Sequence, residues 1–256
     1  MIMFFALIKK EFSDQIRSGR FMICCLIFVL IGVMNPAVAK LTPWLLEIMA
    51  DSLAESGMTV TDVNVSSLDS WVQFFKNIPM ALIVVVLLEG NILVKEYGSG
   101  TLVLSLTKGL DRYKVVVSKI FVLVLMWTVG YWLCFGITYG LNEYFWDNSV
   151  AKSLMLAVFC WWLFGVMVMI AVVIFSTVFK NYGFVLLATG GSVLVFYLIS
   201  LLPKVGVFMP TTLMGGTGLI LGVSEIGDYI KSIIVTVVTI IASIIIGVLV
   251  FNKKQI

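Results

Sequence analysis

The chain has 256 residues, 61% of them hydrophobic and 12% charged, with a mean hydropathy of +1.12 and a formal net charge of +3. A soluble domain carries about 25% charged residues, so this composition excludes a water-facing globule and makes lipid the main solvent. The cations sit in small groups beside apolar runs, which gives no nucleic-acid-binding face, and the lack of any histidine removes imidazole ligands and His general bases.

Residues 4–17, "FFALIKKEFSDQIR", wound at about 100° per residue, place Phe4, Phe5, Ile8, Phe12 and Ile16 within one third of the circumference. Lys10, Ser13, Asp14 and Arg17 fall opposite, with Lys9 at the edge. This predicts an amphipathic helix over 1–20 lying in the inner interface, with a turn at Gly19. A cleaved leader is the rival reading, because Ala37-Val38-Ala39 resembles a small-residue cut site, but Pro36 crowds it and the charged region is long.

A spanning helix needs about 20 apolar residues, and six stretches qualify: about 21–39, 78–94, 116–140, 153–178, 183–202 and 231–251. With the N-terminus cytoplasmic, twelve of the 17 Lys and Arg fall in inner segments, and nine of the 14 carboxylates fall outside. That orientation obeys the positive-inside rule with both termini in the cytoplasm. The expectation is an all-α polytopic protein, one six-span domain over 1–256 in a cell (plasma) membrane. Cys24, Cys25, Cys134 and Cys160 lie in apolar runs without CxxC spacing and read as small buried hydrophobes, with no disulfide framework or metal site.

The first outer loop, about 40–77, is acidic, and its "TPWLLEIMADSLAES" predicts a short separate helix. Trp44, Trp71 and Trp146 are placed at the outer boundary as an aromatic belt, whereas Trp127, Trp132, Trp161 and Trp162 lie deeper and pack between helices. Glu89 is a carboxylate inside the second span, which must face the bundle, water or a partner such as Asn91 or a lysine. Gly136 and Gly140 form a GxxxG on the third span, read as a packing contact.

The last outer gap, 203–230, is too apolar for a water-exposed loop, yet Pro203, Pro210 and five glycines make an unbroken span impossible. Short re-entrant helices are expected there. Ser232, Thr236, Thr239, Ser243 and Gly247 form one stripe on the sixth span, either a packing face or a pore lining. Glu89, Asn91, Thr189, Ser192, Thr236 and Thr239 are the candidate gate or substrate-path residues.

Between spans two and three, the cytoplasmic stretch 95–115 includes "KEYGSGTLVLSLTKGLDRYK". Its cations need only fix topology, but the apolar run inside it needs another reason. Together with "KKEFSDQIRSGRFMI" before span one, this segment resembles the ABC-2 type transporter permeases, the membrane subunits of ABC exporters. The elbow of that family is matched by Lys9, Lys10, Glu11, Phe12 and Arg17. The coupling segment is matched by Glu96, Gly98, Gly100, Thr101, Leu102, Leu104, Leu106, Asp111 and Arg112, leading to Lys119. Lys108-Gly109 stands where the family often has proline in the turn.

The resemblance implies a non-catalytic permease energised by a separate cytosolic ABC ATPase, one per permease, docked on the coupling segment. The ATP and Mg would sit on that partner, with no cofactor bound by this chain. It also implies a second permease copy in a homodimer, surrounding membrane lipids, and a bacterial source. Export of an amphipathic or lipid-like substrate, such as a peptide, a lantibiotic or another antimicrobial, is the function expected. The alternative is an ATPase-independent channel, or an immunity or structural membrane protein.

Overall fold

The computed structural model describes residues 2–49, 64–102, 107, 111–202 and 204–254, and among these there is helix but no strand. The helices are α1 (Ile2–Arg17), α2 (Arg20–Ile48), α3 (Ser67–Glu89), α4 (Val94–Ser99), α5 (Arg112–Phe145), α6 (Leu154–Val178), α7 (Tyr182–Ser200), α8 (Gly216–Ile220) and α9 (Ile226–Lys253). Six are long and apolar enough to cross a membrane, counting α3 with α4 as one span from Ser67 to Ser99. The expected all-α, six-span class is what the chain forms.

Helix takes more of the chain than the apolar runs alone indicated. Residues 42–48, expected in a separate outer helix, are the last turns of α2, which runs through Pro36 and Pro43 without a break. Proline removes a backbone donor and leaves the carbonyl four residues back unpaired. At Pro36 that carbonyl belongs to Gly32, and the Thr138 hydroxyl on α5 donates to it at 3.0 Å. Asn35 Nδ2 donates to the same Thr138 oxygen at 3.2 Å, and Asn77 Nδ2 on α3 donates to Asn35 Oδ1 at 2.8 Å. A small polar network thus ties α2, α3 and α5 together across the proline.

α6 is apolar all round and carries no charge, the pattern of a helix enclosed by others. Helices of the bundle approach closely at single glycines. A Cβ on Gly165 would lie 2.1 Å from the Trp127 ring, one on Gly130 2.3 Å from Phe28, and one on Gly247 2.1 Å from Ile174. Gly136 and Gly140, expected to pack, would meet nothing within 4 Å. Among the described residues no helix faces them.

Three of the deep indoles, Trp127, Trp161 and Trp162, are packing groups with satisfied N–H donors. Trp127 donates to the Trp162 carbonyl at 3.0 Å and Trp161 to the Met214 carbonyl at 2.8 Å. Trp71, expected in the outer belt, is instead fully buried and donates to Asn148 Oδ1 at 3.0 Å. An indole with an internal acceptor has no need of the interface.

The segment before α9 folds as two short 3-10 turns, Gly206–Phe208 and Pro210–Met214, followed by α8. Its carbonyls are received by bundle side chains. Ser232 donates to Val207 and Met209 at 2.8 and 2.9 Å, and Tyr229 donates to Gly215 at 2.7 Å. The stripe on α9 therefore faces protein: Ser232 and Thr236 are buried, and Gly247 sits against Ile174. That is packing, the blander of the two sequence readings.

Candidate functional site

The charges that the sequence scatters along the first half of the chain meet at one end of the bundle. α1 ends at Arg17, and Gly19, at φ 73°, makes the left-handed turn that swings the chain into α2. α1 presents only part of its apolar arc, Ile8 and Phe12, to the bundle. Leu7, Glu11 and Gln15, spaced one turn apart, are the buried stripe, while Phe5 and Ile16 stay exposed on the far side. Two polar side chains are therefore carried inward, and each finds a partner.

Lys119, about two turns into α5, is only 1% exposed. Its ammonium lies 2.8 Å from Glu11 Oε2 and 3.0 Å from Glu96 Oε1, and it donates to the Ile92 carbonyl at 3.3 Å. One lysine thereby joins α1, α4 and α5, with all three of its N–H donors used. Lys10 stands at the edge of the cluster, 3.5 Å from Glu11 and 3.6 Å from Glu96. Partial burial pushes its pKa down, but Glu11, Glu96 and Asp14 together outweigh that and hold it raised.

Glu89 closes α3 and is fully buried. Gln15 Nε2 donates to its Oε2 at 2.7 Å, and Arg20 lies 3.7 Å from the same oxygen. Asn91 and a lysine, the partners anticipated for Glu89, are not the groups bonded to it. The sequence hint was available: Gln15 is one turn beyond Glu11, so both project from one face of α1.

α3 breaks at Gly90, where a Cβ would lie 2.8 Å from Leu186 of α7. The chain turns and restarts as α4, which ends at Gly100 in the left-handed conformation, φ 68°. Gly98 would meet nothing within 4 Å if given a side chain, so of the two glycines it is Gly100 whose backbone requires the residue type. Ser99 and Thr101 share a hydroxyl contact of 2.8 Å. Leu102, expected to be offered to a partner, is 1% exposed and belongs to the core of this subunit. Leu104 and Leu106 lie outside the described residues.

Arg112, also expected to face a partner, is occupied internally. It opens α5, and its guanidinium donates to the carbonyls of Phe251 and Asn252 at 3.3 Å each, and to that of Lys254. A cation on the orphan carbonyls of a helix C-terminus is a favourable cap. Lys254 in turn donates to the Thr177 and Val178 carbonyls at the end of α6, at 2.7 and 2.9 Å, and stands 4.7 Å over the Tyr97 ring. Asp111 pairs with Lys114. α4 is thus held through Glu96 to α1 and α5, and through Tyr97 to the ends of α6 and α9.

The remaining candidates do not join this cluster. Thr189, Thr236 and Thr239 each donate to the carbonyl four residues back in their own helix, and Ser192 to the one three back. These four hydroxyls form no shared site with Glu89 or Asn91. Lys9 is exposed on α1, and Phe12 is half-buried with its ring 5.6 Å from that of Phe21. Among the described residues no group of acidic, Cys or His side chains is arranged to hold a metal.

The family model for the ABC-2 family transporter protein matches residues 5–256. The chain belongs to the ABC-2 transporter family. No curated protein matches it in sequence. As an ABC-2 member it is a multi-pass membrane protein and a permease subunit of an ABC transporter, of a family whose permeases work with an ATPase partner. The charged cluster binds α4, which follows the break after α3, to α1 and α5.

Proposed function

We propose that this permease exports an amphipathic or lipid-like substrate, such as a peptide, a lantibiotic or another antimicrobial, from a bacterial cell. In this reading both termini are cytoplasmic, two copies form a homodimer, and each engages one cytosolic ATPase that carries the ATP and Mg. The ATPase grips the stretch 95–115, with Leu104 and Leu106 as the apolar contact; Leu102 and Arg112 are left out because both are spent inside the subunit.

The observation that supports this reading is Lys119 between Glu11 and Glu96. A push on 95–115 meets Glu96 first. The buried ion pairs then carry it to α1 and α5 together, so the inner ends of these helices shift as a group rather than singly. Coupling of this kind needs a two-state element that both the partner and the substrate route can bias, and a stiff, charged joint supplies one.

Purification from native membranes should bring down an ATPase subunit. Leu104→Asp with Leu106→Asp should abolish both its retention and ATP-dependent transport in vesicles, while the protein still inserts and folds. Transport that survives these changes with no ATPase attached would sink the proposal.

A further inference from the structure

A cleft of about 700 Å³ opens between α1, α4 and the start of α5. Five cations and three carboxylates line it. Lys119 and Lys10 are spent on Glu11 and Glu96, and Arg20 faces the buried Glu89. Asp14 is the third carboxylate of the lining. Arg17 and Lys95 are exposed at the cleft and have no ion-pair or hydrogen-bond partner among the described residues. With Glu89 counted behind the wall, the group carries one more positive charge than negative.

We propose that this cleft binds a phosphodiester, with Arg17 and Lys95 taking its oxygens. A phosphodiester carries a single negative charge, which matches the surplus. A larger anion would have to compete for cations already held in buried pairs. Asn91, half-buried in the lining and without a side-chain hydrogen bond among the described residues, adds a neutral donor for the rest of a headgroup.

The position favours a lipid as the source. α1 leads into the first span with Phe5 and Ile16 exposed on the side opposite Lys10, Asp14 and Arg17, which line the cleft. The one helix thus turns an apolar side to acyl chains and a charged side to headgroups. Basic pockets next to spanning helices hold anionic headgroups by this combination of charge and depth. The same phosphodiester without acyl chains is the other source. The inference does not rest on the exporter reading, and its test uses no transport measurement.

The full chain would be purified, and retention of phosphatidylglycerol measured by native mass spectrometry after delipidation with phosphatidylcholine. Thermal unfolding would be followed in nanodiscs with and without phosphatidylglycerol. Arg17→Gln with Lys95→Gln should cut retention on the order of tenfold or more and remove the stabilisation by phosphatidylglycerol. Lys9→Gln with Lys253→Gln, two exposed cations outside the cleft, should change neither.

Equal losses in both double variants would mean general attraction to an anionic surface and would overturn the site. Unchanged retention in the first variant would overturn it too. Glycerophosphoglycerol, the deacylated headgroup, distinguishes the sources. Weak protection at millimolar concentration supports a lipid; protection equal to that of the lipid overturns the lipid assignment in favour of a soluble ester.

Discussion

Lys119 Nζ lies 2.8 Å from Glu11 Oε2, although the two residues come from different helices 108 positions apart. The lysine is buried, and Glu96 completes the group. Breaking such a pair from one side leaves an uncompensated buried charge and costs about 3–5 kcal/mol. Lys119→Met should therefore lower the unfolding temperature sharply in nanodiscs. Adding Glu11→Gln and Glu96→Gln should recover part of the loss, because no charge is then left unpaired. If the triple variant unfolds no later than Lys119→Met alone, the carboxylates are not what the lysine serves.

Arg112 separates two roles that sequence alone confounds. As a clamp on the carbonyls of Phe251, Asn252 and Lys254, it orders the end of α9. Arg112→Gln should raise amide hydrogen exchange over about 248–254 in the isolated permease, with no ATPase present. Arg112→Lys, which keeps the charge but loses the fork, should be intermediate. Unchanged exchange in both variants would return Arg112 to the list of partner-facing residues.

The bond from Thr138 to Gly32 exists to serve a carbonyl that Pro36 leaves unpaired. Thr138→Val should cost about 1–2 kcal/mol. Pro36→Ala restores the backbone donor, so the same Thr138→Val change should cost clearly less in that background. A double-mutant cycle on thermal unfolding reads the difference directly. Identical costs in the two backgrounds would show that the hydroxyl is not standing in for the missing N–H.

Between α5 and α6, the Asp147 carboxylate accepts from the Ser149 amide at 2.8 Å and from its hydroxyl at 2.7 Å. The backbone bond, chiefly, lowers its pKa below the ordinary 3.8. A depressed carboxylate contributes stability that is present above 3.8 and lost as pH falls through the lower folded value. The Asn148–Val150 turn should thus hold its Ser149 amide protected above about pH 4 and release it in stronger acid. Asp147→Asn should exchange faster above about pH 4, with no such acid step; a step that persists in the variant would assign it to another group.

The six spans were legible because apolar runs of this length have one use, and the distribution of lysine and arginine gave a consistent order to their ends. Helix ends were less legible. The apolar run puts the end of the first span near residue 39, whereas α2 runs on through Pro43 to Ile48. The Thr138 hydroxyl, a hundred residues on, serves the carbonyl that Pro36 leaves unpaired. The GxxxG at 136 and 140 shows the converse: the spacing is a packing signal, but among the described residues nothing faces it.

For the site, the sequence marked Glu11, Glu89, Glu96 and Arg112 without saying which would pair. Their partners depend on helix rotation. A stripe containing Glu11 and Gln15 had no reason to turn inward until Lys119 and Glu89 were placed there to receive it. Leu102 was misjudged for a related cause, since an apolar residue in a polar segment serves a partner or its own core equally well.

The network across Pro36 also bears on how such a subunit changes shape. A proline in the middle of a long helix is ordinarily a place to bend. Here the helix around Pro36 is stitched to α5 by Thr138 and to α3 by way of Asn35 and Asn77. α2 has no private hinge: flexing it there would give up bonds to both neighbours at once.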